Sequence, residues 1–274
     1  MDASQFARLP LGKKPFVPDH RDLLLKNYID RSVLIDSEDC PLAHDWDYVQ
    51  DLNGELPDLD RDNLGNNIAG NCVFAGPGHM VNMIGKQTGA SLVVTRQMAL
   101  DAYSKFSGYD QKTGSHDEGF YTRDMIKIWK SEGLYGTKAL AFASVDWRDP
   151  TELAIASWIG CGTIGGFSLP LASQGQTDNE GDQLWDVPKG GFQAGQGPGT
   201  WGGHCIWCMR PSPNMDGGNS WGEETYWTRN WDNECCDERW LVLVDKWQMA
   251  DGKAPNGFAF ADLLADAQAR AGSV

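Results

Sequence analysis

The sequence lacks a charged opening followed by an apolar stretch. Met1-Asp2-Ala3-Ser4-Gln5 leads into mixed residues, so no secretory signal peptide is expected. No apolar run approaches the ~18 residues of a membrane span, which argues against membrane insertion. Dense basic runs are missing too. Lys and Arg number 23 against 38 Asp and Glu, a net charge of −15, and such a surface repels phosphate backbones and anionic lipid. Nucleic acid is therefore not an expected partner. Cysteine is sparse and odd in number: of seven, at least one must stay unpaired in a monomer. Without a secretory signal, reduced thiols and synthesis in the cytoplasm are expected. The chain has no internal repeat and no obvious linker.

What is present reads as globular. The 274 residues are 41% hydrophobic and 22% charged, with 12 Trp and 32 Gly, as in a packed fold joined by tight turns. Residues 1–40 carry Pro10, Pro15 and Pro18 and predict an extended N-terminal arm, with Lys13-Lys14 its basic pair. The remainder, 41–274, reads as one domain with a helical half to about 160 and a β-rich half to about 250. Helices are predicted from near Cys72, over Thr95–Phe106, over about Thr122–Lys130, and after the Asp149-Pro150-x-Glu152 start signal. Thr163–Leu169, Cys205–Met209 and Trp240–Val244 have the short apolar runs of strands. Residues 171–203 read as a long surface loop, and about 258–271 as an amphipathic C-terminal helix. Helices first and strands afterwards is the segregation of an α+β protein.

Three segments carry residues suited to chemistry. In Asn66-Asn67-Ile68-Ala69-Gly70-Asn71-Cys72, a Gly-rich turn runs into a helix start, where free N–H groups and the dipole favour a thiolate. A backbone N–H there can also hold a developing oxyanion. Gly202-Gly203-His204 places an imidazole at the mouth of an apolar strand, with small residues leaving room for a substrate. Asn219-Ser220-Trp221-Gly222 follows fifteen residues after His204, a gap that suits a strand, a turn and a return strand. Asn219 could then fix the imidazole tautomer, with Trp221 as a shield. Nucleophile, base and orienting group in that order match the general plan of nucleophilic catalysis. Taken singly, Cys72 reads rather as a small buried apolar residue and His204 rather as a structural histidine.

Other candidates are weaker. Asp58-x-Asp60-x-Asp62 starts like a calcium loop, but Asn63 replaces the glycine and Ala69 the glutamate that such a loop needs. Cys205-x-x-Cys208 with Cys235-Cys236 has the ligand types for zinc. A strand, however, sends residues i and i+3 to opposite faces, so no metal site is expected. His79 lies two helical turns from Cys72, roughly 10 Å along the axis, too far to take its proton. His20, His44 and His116 lack a motif.

Cys at a helix start, Gly-His before a strand and Asn-Ser-Trp-Gly together resemble the papain family of cysteine peptidases, as does Asp45-Trp46. The chain resembles more closely the papain-like proteins of tailed bacteriophages and prophages. That resemblance rests on Leu11-Gly12-Lys13, Arg21-Asp22, the Gly65–Cys72 motif, Tyr103, Gly108-Tyr109-Asp110, Trp129, Gly133, Leu140-Ala141-Phe142, Gly202-Gly203-His204 and Gly252–Phe258. It implies a papain-like α+β fold, with Cys72 as nucleophile, His204 as base and Asn219 orienting it. Asn66 takes the place of the oxyanion-hole glutamine, while Gly70, Asn71, Gly203 and Trp221 support the site. It implies peptide or isopeptide hydrolysis without a cofactor, on a peptide or protein substrate, in a protein incorporated in a virion beside other tail proteins. A catalytically silent tail or virion adaptor is the alternative. An open groove beside a paired Cys72 and His204 would favour catalysis, and a groove filled by the chain itself would favour the adaptor. Gly76-Pro77-Gly78 predicts a helix that is bent or starts elsewhere. The 40-residue arm is too short for a long inhibitory leader.

Overall fold

A computed structural model describes residues 8–29, 62–177 and 183–247, together with Ala265. Asp45-Trp46, His44, most of the Asp58–Asp62 run, the Gly252–Phe258 match and the expected helix over 258–271 lie outside the described residues.

Helix α1 spans Cys72–Thr88 and is buried from Cys72 to Gly85. Its start is set by the Leu64-Gly65 turn, both at positive φ, and by Asn71. The Asn71 carbonyl accepts the first helical N–H groups, from Phe74 and Ala75, while its side-chain amide donates to Leu64 O at 2.9 Å. The Gly76-Pro77-Gly78 run does not displace this start, and the helix continues through it. Pro77 forfeits one ladder bond and costs about 3 kcal/mol in an isolated helix. Its glycine neighbours explain the tolerance: they let the helix press close against its surroundings. A Cβ at Gly76 would lie 3.4 Å from the Trp207 amide, and one at Gly78 2.6 Å from the Leu64 side chain.

Helices α2 (Arg96–Ser107) and α3 (Thr122–Ser131) follow, then strand β1 (Ala139–Ser144) and helix α4 (Pro150–Gly160). Local chemistry sets their ends. Thr95 caps α2 through Met98 N–H, and Gly108 closes it at φ 83°. Asp149 accepts the Thr151 and Glu152 amides ahead of α4, with Pro150 in the first turn. The remaining elements are β2 (Thr163–Leu169), β3 (Leu184–Trp185), β4 (Gly202–Cys208), β5 (Met215–Ser220), β6 (Glu223–Thr228), α5 (Arg229–Cys235) and β7 (Cys236–Val244). The strands form a seven-stranded sheet in the order β1-β7-β2-β4-β5-β6-β3, antiparallel except for the β3–β6 pair.

Strand alternation sorts the core into two parts. Cys205 and Trp207 face α1, in a large cluster with Cys72, Phe74 and Trp129. Ile206 and Cys208 face a second cluster, built from Phe167, Trp185, Trp227 and Trp231. Cys205 and Cys208 therefore point to opposite sides, which keeps them from sharing a metal. The described cysteines are all buried and none is disulfide-bonded. The expected surface loop over 171–203 is corrected in part. It contains a short 3-10 helix, Leu171–Gly175, and strand β3, whose Trp185 is fully buried and stacks on Trp227. Sequence periodicity misses it because a two-residue strand is too short to alternate.

Candidate active site

Strand β4 carries Gly203, His204 and Cys205 to the start of α1. The Cys72 thiol is fully buried and receives backbone N–H groups from Cys205 and Gly12. His204 directly precedes Cys205 but has the strand parity of Ile206 and Cys208, so its side chain leaves β4 on the face away from the Cys72 cluster, toward Trp221. Burial pushes the thiol pKa up, and the amides of Cys205 and Gly12, with Lys13 nearby, only partly oppose this.

His204 is 1% exposed and stacks on Trp221, with ring centroids 4.0 Å apart and planes 15° off parallel. Trp201 stacks on the outer face of Trp221 at 5.6 Å. The backbone explains how the indole reaches this place. Trp221 and Gly222 form the two-residue connection between β5 and β6, with φ of 53° and 81°. A bulky residue at positive φ is costly, and the tight hairpin with Gly222 holds it there. His204 Nε2 meets Ser220 Oγ at 2.9 Å, whereas Nδ1 is buried without a hydrogen-bond partner.

Asn219 lies elsewhere. It pairs across the sheet with Trp207, on the α1 side, so its Nδ2 comes 3.3 Å from His79 Nδ1 and its Oδ1 accepts Gly222 N–H at 3.0 Å. Sequence reasoning named the segment but missed Ser220. Alternation carried one residue further along β5 gives the signal, because Ser220 shares the His204 face. His79 is buried. Asn66 is buried with its amide donating to Ala69 O at 3.0 Å, and Asn71 braces the turn through Leu64. Gly70 N–H is held by the Asp117 carboxylate at 3.0 Å, and Tyr103 OH donates to the same carboxylate at 2.6 Å. Asp117, absent from any motif, and Tyr103 thus brace the loop before Cys72.

The groove over Cys72 is filled by the chain's own arm. Gly12 O accepts Phe120 N–H at 2.7 Å, Lys13 N–H donates to Gly203 O at 3.0 Å, and Lys14 N–H donates to Phe120 O at 2.9 Å. The fit is backbone to backbone. A Cβ on Gly12 would stand 1.6 Å from Gly70 O, and one on Gly203 2.1 Å from Lys13 O. The Gly12 amide lies near enough to the thiol to favour its charged form, so the arm covers the sulfur.

Burial holds His204 down at about 3, so thiol and imidazole are both neutral at pH 7. The sign of the stability effect follows from linkage. Between about pH 6.5 and 3 the unfolded chain binds a proton at this residue that the folded chain excludes, so its contribution is lost as pH falls. The unfolding free energy should drop by up to about 1.4 kcal/mol per pH unit in that window. Urea titrations from pH 7 to 4 should show this slope flattening in His204→Gln.

A thiol at a helix start, a shielded imidazole on the facing strand, and an α+β layering of helices on an antiparallel sheet define a papain-like fold. The comparisons agree at the level of fold. The crystal structure of xylellain, a cysteine protease from Xylella fastidiosa, superposes with a TM-score of 0.58 at 14% identity, covering 86% of this chain and 96% of that one. No family model and no curated protein matches.

Proposed function

We propose that the chain is a papain-like cysteine peptidase kept latent by its own arm, with Cys72 as nucleophile and His204 as base. The observation that carries this reading is the imidazole. It is clamped by Trp221 and Ser220 with Nδ1 unpartnered, one residue before Cys205, whose side chain packs with Cys72. When residues 11–14 leave, water reaches the sulfur, the burial that raises its pKa falls, and the imidazole must turn from its Trp221 face to the thiol side to bring Nδ1 to the proton. The thiolate then adds to the substrate carbonyl, and the oxyanion forms near the free N–H groups at the start of α1. The imidazolium returns the proton to the leaving amine, and water hydrolyses the thioester. No cofactor is required. Gly203 and Phe120 are the backbone edges along which a substrate would lie, taking the hydrogen bonds that the arm now makes.

Within this reading Ser220, not Asn219, orients the base. In an arm-opened chain, Ser220→Ala should lower turnover of a quenched peptide mixture about tenfold, because the imidazole loses its Nε2 partner. Asn219→Ala should leave turnover nearly unchanged and cost about 1–3 kcal/mol of stability, since it withdraws a buried partner from His79 and the acceptor of Gly222 N–H. The opposite ranking would return the orienting role to Asn219. Absence of hydrolysis in every arm-opened chain would reject the peptidase.

A second reading is favoured by the filled groove and the un-ionised pair: a papain-like adaptor whose arm is a fixed part of the fold. The resemblance to phage proteins suits either, in a virion-associated protein made in the cytoplasm.

A further inference from the structure

The arm does more than cover the thiol, because one of its side chains fills a pocket built for it. Lys13 is 1% exposed at its side chain, and its Nζ lies 2.9 and 3.0 Å from the two carboxylate oxygens of Asp237 and 3.6 Å from Glu238 Oε1. Both carboxylates are held independently of the lysine. Ser168 Oγ donates to Asp237 Oδ2 at 2.8 Å, and Trp240 Nε1 donates to Glu238 Oε2 at 2.8 Å. Gly166 makes room for the stem, since a Cβ there would come within 2.3 Å of Lys13 Cε and 2.5 Å of Glu238 Cγ. With Glu238 buried beside Asp237, an empty pocket would leave a carboxylate pair with no counter-charge, an arrangement that strongly favours a bound cation. Burial pulls the lysine pKa down, but Asp237 and Glu238 outweigh it and keep the ammonium charged.

The backbone on either side of this side chain makes bonds that any extended peptide can make, to Gly203 and Phe120. The pocket, in contrast, discriminates among side chains. We infer that Gly166, Ser168, Asp237 and Glu238 form a specificity subsite that selects a lysine beside the bond to be cut, with Lys13 as its resident mimic. The inference rests on the peptidase reading and is separable from it by binding. The net charge of −15 gives lysine-rich substrates a matching long-range attraction.

Two peptides suffice as probes, acetyl-Leu-Gly-Lys-amide and its norleucine counterpart. In the full chain carrying Gly12→Ala to displace the arm and Cys72→Ala to prevent turnover, the lysine peptide should bind at least tenfold more tightly. Glu238→Gln should erase most of that preference. In the wild-type chain, which needs no substitution, excess lysine peptide should speed hydrogen exchange at the Lys13 and Lys14 amides, and the norleucine peptide should not. Equal behaviour of the two peptides would overturn the subsite. Lysine-selective binding by a chain that hydrolyses nothing would keep the pocket and reject the peptidase. Hydrolysis indifferent to lysine would do the reverse.

Discussion

Replacing Gly12 by alanine should raise the alkylation rate of Cys72 by about 100-fold. The new Cβ would sit 1.6 Å from Gly70 O, a backbone atom braced by the Asp117–Tyr103 pair, so the arm and not the loop must yield. With a closed-to-open ratio of about 99 to 1, tipping that balance exposes the sulfur for most of the time. Lys13→Glu should act in the same direction, by setting a third carboxylate against Asp237 and Glu238. Iodoacetamide kinetics resolved by peptide mapping would read both. The buried Cys208 and Cys236 serve as internal controls whose rates should not change. Unchanged Cys72 kinetics in both folded variants would mean that the arm does not control access.

The second large effect concerns the base. In the Gly12→Ala background, His204→Ala should lower peptide turnover by about 10³-fold, within the range expected when a positioned acid–base group is removed. Loss should fall on kcat, because the imidazole acts on the proton and not on substrate binding. A fall in kcat with KM nearly constant would fit that role. A rise in KM alone would describe a structural histidine on which Trp221 happens to stack.

Much of the fold was legible because local rules and packing agree. Thr95, Gly108, Asp149 and Pro150 mark helix ends by side-chain and backbone chemistry confined to a few residues. The turn into Cys72 and the apolar runs of β2, β4 and β7 could likewise be read from spacing. What escaped depends on contacts between distant segments. Nothing near Gly12 announces that it must pass Gly70, and nothing near Gly203 announces that it must pass Lys13; three-dimensional complementarity among backbones leaves only glycines behind. Lys13 could be seen as half of a basic pair but not as a buried cation, because its partners lie more than 220 residues away. The choice between Asn219 and Ser220 turns on strand parity, and a shift of one residue reverses which face each side chain takes. Trp221 shows the limit of turn propensity. A tryptophan in a left-handed hairpin position is a poor local choice, sustained by its stacking on His204 and Trp201.

The most direct measurement is labelling of Cys72 with an epoxide-type thiol-peptidase probe, quantified by mass spectrometry, in Gly12→Ala and in Gly12→Ala/His204→Ala. A masked catalytic pair requires fast, selective labelling of Cys72 in the first chain and its collapse in the second. Labelling that is equally slow in both, and no faster at Cys72 than at the other cysteines, would contradict it and leave the chain as a papain-like fold without a working thiol.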